Sequence, residues 1–310
     1  MVDDGSTLRQ CGPLTSRHRA SRWAPPVLLR DDGGMSDAPG PKVTRGASVP
    51  GGGPVIEAAD YPLERLLEAK GSRRVTVCIP ALNEVATIAG VVRPIVDGLT
   101  GSGGVPLVDE VLVVDDGSTD ATAEVARSAG ATVVAGPPGG FGGKGQAMAA
   151  GLEMARGDLI AFVDADVTTF GPHFVTGLLG PLLTDESISL VKGFYLRPLD
   201  GEIDGGGRVT QLTALPAIDL LFPDLRGIRQ PLAGETAAPR SVLEKCGLAD
   251  GYAVEIALLI DVVSRFGPDS VAQVDLGVRA HRNRSLAELR VQATDVLRAA
   301  LQRAEIPTRG

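Results

Sequence analysis

The stretch Asp158-Leu159-Ile160-Ala161-Phe162-Val163-Asp164-Ala165-Asp166 joins an apolar run to two acidic side chains. The run 158–163 has the length and composition of a buried strand in a parallel sheet, and Asp164 and Asp166 follow at its carboxyl end. Two carboxylates spaced in this way suit Mg²⁺ or Mn²⁺, because these hard cations take few protein oxygens and leave other positions to phosphate and water. The pair therefore predicts a site in which a metal ion holds a diphosphate, as in an enzyme that uses a nucleotide sugar. A D-x-D pattern alone is common by chance, so the prediction depends on its surroundings.

The segments around this stretch alternate between short apolar strands and helices. Strands are expected at 75–80, 110–115, 131–134 and 158–163, with helices at 84–96, 119–130 and 145–156. Strands joined by helices of roughly 10–15 residues form a mostly parallel sheet that is covered on both faces. We therefore predict an α/β fold with a Rossmann-like sheet, and we expect its ligands outside the carboxyl ends of the strands.

The composition narrows the class of protein. The 310 residues carry a net charge of −8, which argues against broad nucleic-acid binding. No apolar run approaches the roughly 20 residues of a transmembrane helix, and the amino end has no apolar signal-peptide core. The three cysteines are far apart and show no metal or disulfide spacing. We expect a cytoplasmic enzyme with no nucleic-acid or membrane partner.

The chain divides into an irregular tail and an ordered remainder. Residues 1–57 are rich in Gly, Pro, Ser and Arg without a sustained hydrophobic period, so we expect an unstructured tail. Met35 offers an alternative start within it. We expect a nucleotide-sugar-binding half at 58–168 and an acceptor-binding half of the same domain at 169–284. The remainder, 285–310, is predicted to be a helical extension whose apolar stripe covers the core or an interface.

Polar side chains follow the first two predicted strands. Asn83 is expected to cap the next helix, and Glu84 to complement the dipole of that helix. Ser118 or Thr119 is likewise expected to cap the helix that follows the second strand. Capping does not explain the neighbouring acids 115–116, which can accept hydrogen bonds from a base or a ribose.

A glycine-rich loop, 136–145, carries Lys144 to the start of a helix. The loop is not a Walker A loop, because Gly145 stands where a Ser or Thr is required. A lysine at the amino terminus of a helix nonetheless forms an anion site. The alternative is a solvated lysine in a flexible loop.

The carboxyl half offers an anion site in Gly205-Gly206-Gly207-Arg208-Val209-Thr210. Exposed backbone N–H groups, the bidentate fork of Arg208 and a hydroxyl precede an expected helix, which together suit a phosphate. A flexible linker before the helix is the alternative.

Two further ionisable residues stand out in this half. Glu255 lies in the first turn of the apolar helix 254–266, where the helix dipole favours it and where it can also be desolvated near a reacting centre. His281 follows the strand-like run 271–276, and neutral imidazole is a reasonable ligand for Mn²⁺. A lone histidine is more often structural.

Taken together, the motifs resemble the retaining GT-A glycosyltransferases of family 81, with an amino half like that of the inverting family 2. The resemblance runs from about residue 61 to 307. It is carried by Pro80-Ala81-Leu82-Asn83-Glu84, Asp115-Asp116-Gly117-Ser118-Thr119-Asp120, Lys144-Gly145, Asp164-Ala165-Asp166, the segment 205–210, Gln230-Pro231-Leu232-Ala233-Gly234-Glu235, Gly251-Tyr252-Ala253-Val254-Glu255-Ile256 and the segment 276–284.

The resemblance implies a reaction. Glucose would pass from UDP-glucose to the 2-hydroxyl of 3-phosphoglycerate with retention, in a metal-dependent, homodimeric enzyme. The alternatives are a GDP-mannose-dependent enzyme that makes mannosyl-3-phosphoglycerate, another family-2-like glycosyltransferase, and a nucleotide-binding domain without activity.

The resemblance also implies a role for particular residues. The donor would be bound by Pro80, Ala81, Leu82, Glu84, Asp116, Lys144 and Asp164. The acceptor would be bound by Gly207, Arg208, Val209, Thr210 and Tyr252. Mg²⁺, or Mn²⁺ in its place, would be held by Asp166 and His281. Glu255 and Asp164 would lie closest to the transferred sugar and so to the chemistry.

Overall fold

The computed structural model describes residues 54–101, 104–137, 139–196, 207–279 and 285–306. Its strands are β1 (Val55–Glu57), β2 (Val75–Ala81), β3 (Glu110–Asp115), β4 (Thr132–Ala135), β5 (Leu159–Phe162), β6 (Leu190–Leu196), β7 (Thr236–Pro239) and β8 (Val271–Val278). Its α-helices are α1 (Leu63–Lys70), α2 (Ile88–Leu99), α3 (Thr122–Ser128), α4 (Lys144–Met154), α5 (Pro172–Thr184), α6 (Leu215–Leu221), α7 (Arg240–Cys246), α8 (Val254–Phe266) and α9 (Leu286–Arg303). A π-helical turn, Thr210–Ala214, runs directly into α6.

These strands form one mixed, mostly parallel sheet in the order β1-β8-β6-β7-β5-β2-β3-β4. The expected α/β class is therefore confirmed. β7 is the exception to the parallel arrangement, because it runs antiparallel to both β5 and β6. The short β1 pairs with β8, so residues 55–57 belong to the sheet and not to the unstructured tail in which we placed them.

The sheet is buried on both faces, as its nearly continuous apolar strands require. Along β2, Val77 and Ile79 point into a core formed with α1, α2, α3 and α5. Cys78, between them, points into a second core formed with α4 and α6–α9. The alternation follows from the two-residue period of a strand and places helices on both sides of the sheet.

The carboxyl ends of β2, β3 and β5 meet at one edge. Pro80 lies opposite Val114 in the register of β2 and β3, and Cys78 lies opposite Phe162 of β5. The polar segments that follow these strands are therefore neighbours, although they are far apart in the sequence.

Several predictions concern residues outside the described part of the chain, namely residues 1–53 with Met35, residues 205–206 and His281. Their placement stays a prediction. Within the described ranges, no helix combines the length and apolar character that a membrane span needs.

Candidate active site

A cavity of about 640 Å³ opens at the carboxyl edge of the sheet. Its wall contains every predicted site residue of the described chain: Pro80, Ala81, Leu82, Glu84, Asp116, Lys144, Asp164, Asp166, Gly207, Arg208, Val209, Thr210, Tyr252 and Glu255. The donor and acceptor segments thus face one common space, which is what a transfer between two bound substrates requires.

Lys144 joins two acids on the inner wall. It begins α4, and its Nζ lies 2.6 Å from Asp164 Oδ1 and 2.6 Å from Glu255 Oε1. Burial alone would lower the pKa of Lys144, but the two carboxylates outweigh burial and hold that pKa above its usual range. The lysine is therefore a fixed cation within the site, and the hypothesis of a solvated lysine is wrong.

Arg279, directly after β8, links the acidic pair Asp164 and Asp166 to the interior. Its Nη2 donates to Asp164 Oδ2 at 3.0 Å and to Asp166 Oδ1 at 2.6 Å. Its Nη1 donates to Glu235 Oε1 at 3.0 Å and to the hydroxyl of Tyr195 at 2.5 Å. Sequence reasoning did not pair Arg279 with these acids, because no local pattern shows that the residue after β8 reaches the acids that follow β5, with two strands between β8 and β5 in the sheet.

The two motif acids therefore have different surroundings. Burial would raise the pKa of Asp164, but Lys144 and Arg279 hold that pKa well below its usual range. The side chain of Asp164 is 19% exposed, whereas that of Asp166 is 31% exposed and pairs with Arg279 alone among the described ion pairs. Asp166 is the more accessible carboxylate for a metal.

The turn after β3 orders the glycine loop. The Asp116 carboxylate accepts hydrogen bonds from the backbone N–H of Phe141 and, at 3.1 Å, from that of Gly143. Asp116 thus fixes the loop that delivers Lys144 while also lining the cavity. Asp115, by contrast, is buried and accepts from the backbone N–H of Ser118 at 3.0 Å, which is a turn function that we did not foresee.

The capping predictions for this region are wrong. α2 begins at Ile88, four residues after Glu84, so Asn83 does not cap it. Asn83 adopts a left-handed conformation with φ +56° and accepts a hydrogen bond from Thr119 N at 2.8 Å. α3 likewise follows Ala121, beyond both predicted caps. These polar groups instead tie the two strand-end loops to each other.

The predicted acceptor segment lines the cavity with Gly207, Arg208, Val209 and Thr210. Gly207 has φ +79°, a backbone conformation open to glycine, and a helical segment starts immediately after it. The N–H of Gln211 donates to the carbonyl of Gly207 at 2.9 Å, so Arg208 lies in the first helical turn. The expected arrangement, an arginine at the amino terminus of a helix, is present.

The carboxyl-terminal helix α9 completes the wall, which sequence reasoning did not predict. Glu288, Leu289, Gln292 and Val296 line the cavity. The Ser285 hydroxyl accepts from Glu288 N at the start of α9, forming a capping box that fixes where the helix begins. The apolar stripe of α9 packs on the core below, so one helix serves both purposes.

The donor set of this cavity suits a divalent cation. Carboxylate oxygens are the ligands that Mg²⁺ and Mn²⁺ prefer, and Asp166 presents one at the cavity wall. The described residues contain no cluster of three potential metal ligands, and the expected partner His281 lies outside them. The position of His281 relative to Asp166 stays a prediction.

Comparison with known proteins gives concordant results. The family model "Glycosyl transferase family 2" matches residues 76–204. The glucosyl-3-phosphoglycerate synthase of Mycolicibacterium smegmatis is 47% identical over 253 residues, which cover 78% of this chain and 81% of that protein. The enzyme of the same name from Petrotoga mobilis is 40% identical over 248 residues, which cover 77% and 76% of the two chains.

Solved structures are similar as well. The glucosyl-3-phosphoglycerate synthase of Mycobacterium tuberculosis, in complex with Mn²⁺, UDP-glucose and phosphoglyceric acid, is 44% identical with a TM-score of 0.73, covering 81% of this chain and 86% of that one. The same enzyme with Mg²⁺ and UDP is 42% identical with a TM-score of 0.74, covering 83% and 88%. A third structure contains Mn²⁺, UDP and glucosyl-3-phosphoglycerate.

Proposed function

The chain belongs to the glucosyl-3-phosphoglycerate synthase family, and from this premise we propose that it transfers glucose from UDP-glucose to the 2-hydroxyl of 3-phosphoglycerate with retention. One observation carries the proposal for this chain. The acidic pair Asp164 and Asp166 and the anion-binding segment around Arg208 line the same cavity. A donor on the first and an acceptor on the second would meet within reacting distance.

The donor half of the cavity is arranged to receive a nucleotide diphosphate and its sugar. Asp166, with His281 as its expected partner, would hold Mg²⁺ or Mn²⁺, which when bound stabilises the negative charge of the departing UDP. Lys144 and Arg279 keep Asp164 ionised and fixed in orientation. An oriented carboxylate at this point can accept hydrogen bonds from the sugar or ribose hydroxyls.

The acceptor half is arranged to receive a phosphate and a carboxylate. Arg208 supplies a planar guanidinium that can bind an anionic oxygen pair bidentately. Arg208 lies in the first turn of a helical segment, where the backbone N–H groups of a helix start favour an anion. Tyr252, on the 3₁₀ turn Gly251–Ala253, is a further residue of the cavity wall.

Retention is best explained by attack on the face of the sugar that the UDP leaves. The acceptor oxygen forms a bond to the anomeric carbon while the bond from that carbon to the diphosphate oxygen breaks, and the diphosphate oxygen takes the hydroxyl proton. Glu255 is buried and ion-paired with Lys144 at 2.6 Å, which favours a positioning role over that of a nucleophile. Failure to trap a glycosyl-enzyme in the wild type, which retains the Glu255 carboxylate, is the expected outcome.

The activity can be tested in one assay. The purified chain is incubated with 3-phosphoglycerate and either UDP-glucose or GDP-mannose, in Mg²⁺ or in EDTA, and products are measured by mass spectrometry. We expect glucosyl-3-phosphoglycerate only with UDP-glucose and Mg²⁺. Product from GDP-mannose alone would assign the mannosyl alternative, and no product from either donor would refute the proposal.

A matched pair of variants tests the assigned metal ligand. Asp166→Ala is expected to lower activity and to raise the Mg²⁺ concentration needed for half-maximal rate. Asp97→Ala removes an exposed carboxylate from α2 and is expected to change neither. Equal metal requirements in the two variants would contradict the role of Asp166.

An exposed apolar surface supports a proposal for the quaternary state. Leu212 and Leu220, on the π-helical turn and α6, are 77% and 82% exposed. Large apolar side chains that remain in water on one helical segment favour association. We propose that a second copy of the chain covers them, which gives a homodimer. A cytoplasmic location stays a prediction.

A further inference from the structure

Lys192 is a buried cation behind the cavity. It lies in β6, within the otherwise apolar run Leu190–Leu196 (LVKGFYL), and only 2% of its surface is exposed. Its Nζ donates to the backbone carbonyl of Ala233 at 2.5 Å. A buried ammonium is costly, because it loses its hydration. The nearby carboxylates of Glu255, Glu235 and Asp164 offset part of this cost.

The carbonyl that Lys192 holds belongs to the loop 230–235, and the neighbours of Ala233 in this loop contact the active site. Leu232 lines the cavity. Gly234 packs so closely on Asp164 that a Cβ atom at position 234 would lie 2.2 Å from its Oδ1. Glu235 receives Arg279 Nη1 at 3.0 Å. A shift of the Ala233 carbonyl would therefore move groups that touch the donor side of the site.

Three attachments connect the loop 230–235 to β6. The N–H of Gly193 donates to the carbonyl of Glu235 at 2.8 Å. The side chain of Gln230 bonds both the N–H and the carbonyl of Tyr195. Lys192 provides the third attachment, at the middle of the loop, and is the charged member of the set. These bonds connect the loop directly to β6.

We propose that Lys192 is a positioning residue for glucosyl transfer, whose buried ammonium holds the Ala233 carbonyl and so keeps Leu232 and Gly234 in place beside Asp164. The inference rests on the proposed function for its reaction. Lys192 touches no substrate in this proposal and acts through the loop 230–235.

The charge of Lys192 depends on the groups around it. The pKa of Lys192 is lowered to about 8, mainly because burial disfavours the charged form; Lys144 also lowers this pKa, and Glu255, Glu235 and Asp164 partly oppose the shift. The lysine is thus mostly charged at pH 7 and loses its proton as the pH rises past about 8. Loss of the charge weakens the bond to Ala233, because a charged donor makes the stronger hydrogen bond.

The test compares Lys192→Met with Lys70→Met. Lys70 is also buried, and its Nζ donates to the Pro106 carbonyl at 2.6 Å, but it lies at the opposite end of β3 from the cavity. Both variants lose a buried ammonium bound to a backbone carbonyl. We expect Lys192→Met to lower kcat at least about tenfold with each KM changed less than about threefold, and Lys70→Met to leave both parameters within about twofold.

A pH profile separates positioning from general destabilisation. The kcat/KM for UDP-glucose reports groups of the free enzyme. In the wild type we expect kcat/KM to fall above about pH 8, where Lys192 loses its proton. In Lys192→Met the remaining rate should show no such fall. A purely structural loss would lower the rate and leave the shape of the profile unchanged, which would overturn the proposal.

Two further experiments cover the cases in which Lys192→Met does not fold or the wild type forms no product. If Lys192→Met does not fold, Lys192→Gln, which retains an N–H donor without the charge, replaces it with the same expected loss of the alkaline limb. A kcat within about twofold of the wild type in either folded variant would overturn the proposal. If the wild type forms no product, the proposed function fails, and a crystal structure of Lys192→Met then decides the inference: an unmoved loop 230–235 would refute it.

Discussion

At the scale of single residues, the inner part of the site is a chain of charges that links Asp164, Asp166, Glu235 and Glu255 through Lys144 and Arg279. Asp164 contacts Lys144 and Arg279, and Arg279 reaches Asp166 and Glu235 as well. Such a network orients its side chains more firmly than an isolated ion pair does. A side chain that one partner already holds loses little further conformational entropy when it binds a second partner. The unequal burial of the two motif acids supports a division of work, with Asp166 for the metal and Asp164 for the sugar nucleotide.

The role of Arg208 can be tested by its removal. Arg208→Ala is expected to raise the KM for 3-phosphoglycerate at least about tenfold, since a charge-assisted hydrogen bond contributes about 1.5–3 kcal/mol. The KM for UDP-glucose should change less than about twofold. Steady-state kinetics with each substrate varied in turn measures both values.

The control for this variant is Arg298→Ala. Arg298 is an exposed arginine of α9 that pairs with Asp295 and does not line the cavity. It should change neither KM. An equal rise of both KM values in Arg208→Ala would contradict an acceptor-specific role.

Single residues also show where sequence reasoning falls short. Asparagine is a residue type that often caps helices, but Asn83 bonds Thr119 on the neighbouring loop at 2.8 Å. A helix cap bonds a backbone N–H of its own helix, a few residues away. Asn83 instead bonds a residue that is 36 positions away in the sequence. Local preference could not reveal that partner.

At the scale of elements, the antiparallel strand β7 sets the position of the loop beside the acidic pair. It lies between β5 and β6, so the loop 230–235 that precedes it enters the sheet at the carboxyl end of β5. That direction sets Gly234 against Asp164. A parallel strand in the same place would start at the opposite edge and leave the acidic motif without this support.

Gly234→Ala tests this contact between elements. The added Cβ would lie 2.2–2.5 Å from the carboxylate atoms of Asp164, so the loop or the acid must move. We expect kcat to fall at least about tenfold, because an error of about 1 Å in placement can cost a hundredfold in rate. Steady-state kinetics and a thermal melt of the same sample measure activity and stability together.

Gly90→Ala is the matched control for that substitution. Gly90 lies within α2, and a Cβ there would meet no atom within 4 Å. Alanine in a helix interior is favoured over glycine by about 0.5–1 kcal/mol, so this variant should be slightly stabilised and fully active. Unchanged kcat in Gly234→Ala would show that the loop does not position Asp164.

At the scale of the whole molecule, the exposed leucines of the π-helical turn and α6 predict a homodimer. Multi-angle light scattering of the wild type should give twice the 32.0 kDa mass of one chain. Leu220→Glu places a charge in the covered surface and is expected to give a single-chain mass, since an unpaired buried charge is costly. A wild type that elutes with the mass of one chain would contradict the homodimer.

A control variant identifies the surface responsible. Val105→Glu changes another exposed apolar side chain, 68% exposed, in the connection between α2 and β3. This variant should remain dimeric. Loss of the dimer in Val105→Glu but not in Leu220→Glu would move the interface to another surface.

The sequence by itself determined the alternation of strands and helices, the edge of the sheet where ligands bind, and the residue types that line the cavity. These follow from short-range periodicity and from the rule that parallel strands end together. Only the tertiary structure decided that β7 runs antiparallel, that Arg279 joins Asp164 across 115 positions, that Lys192 supports the loop 230–235, and that α9 closes the wall. The physical reason is that strand order and buried ion pairing are set by packing between distant segments, which no local pattern encodes.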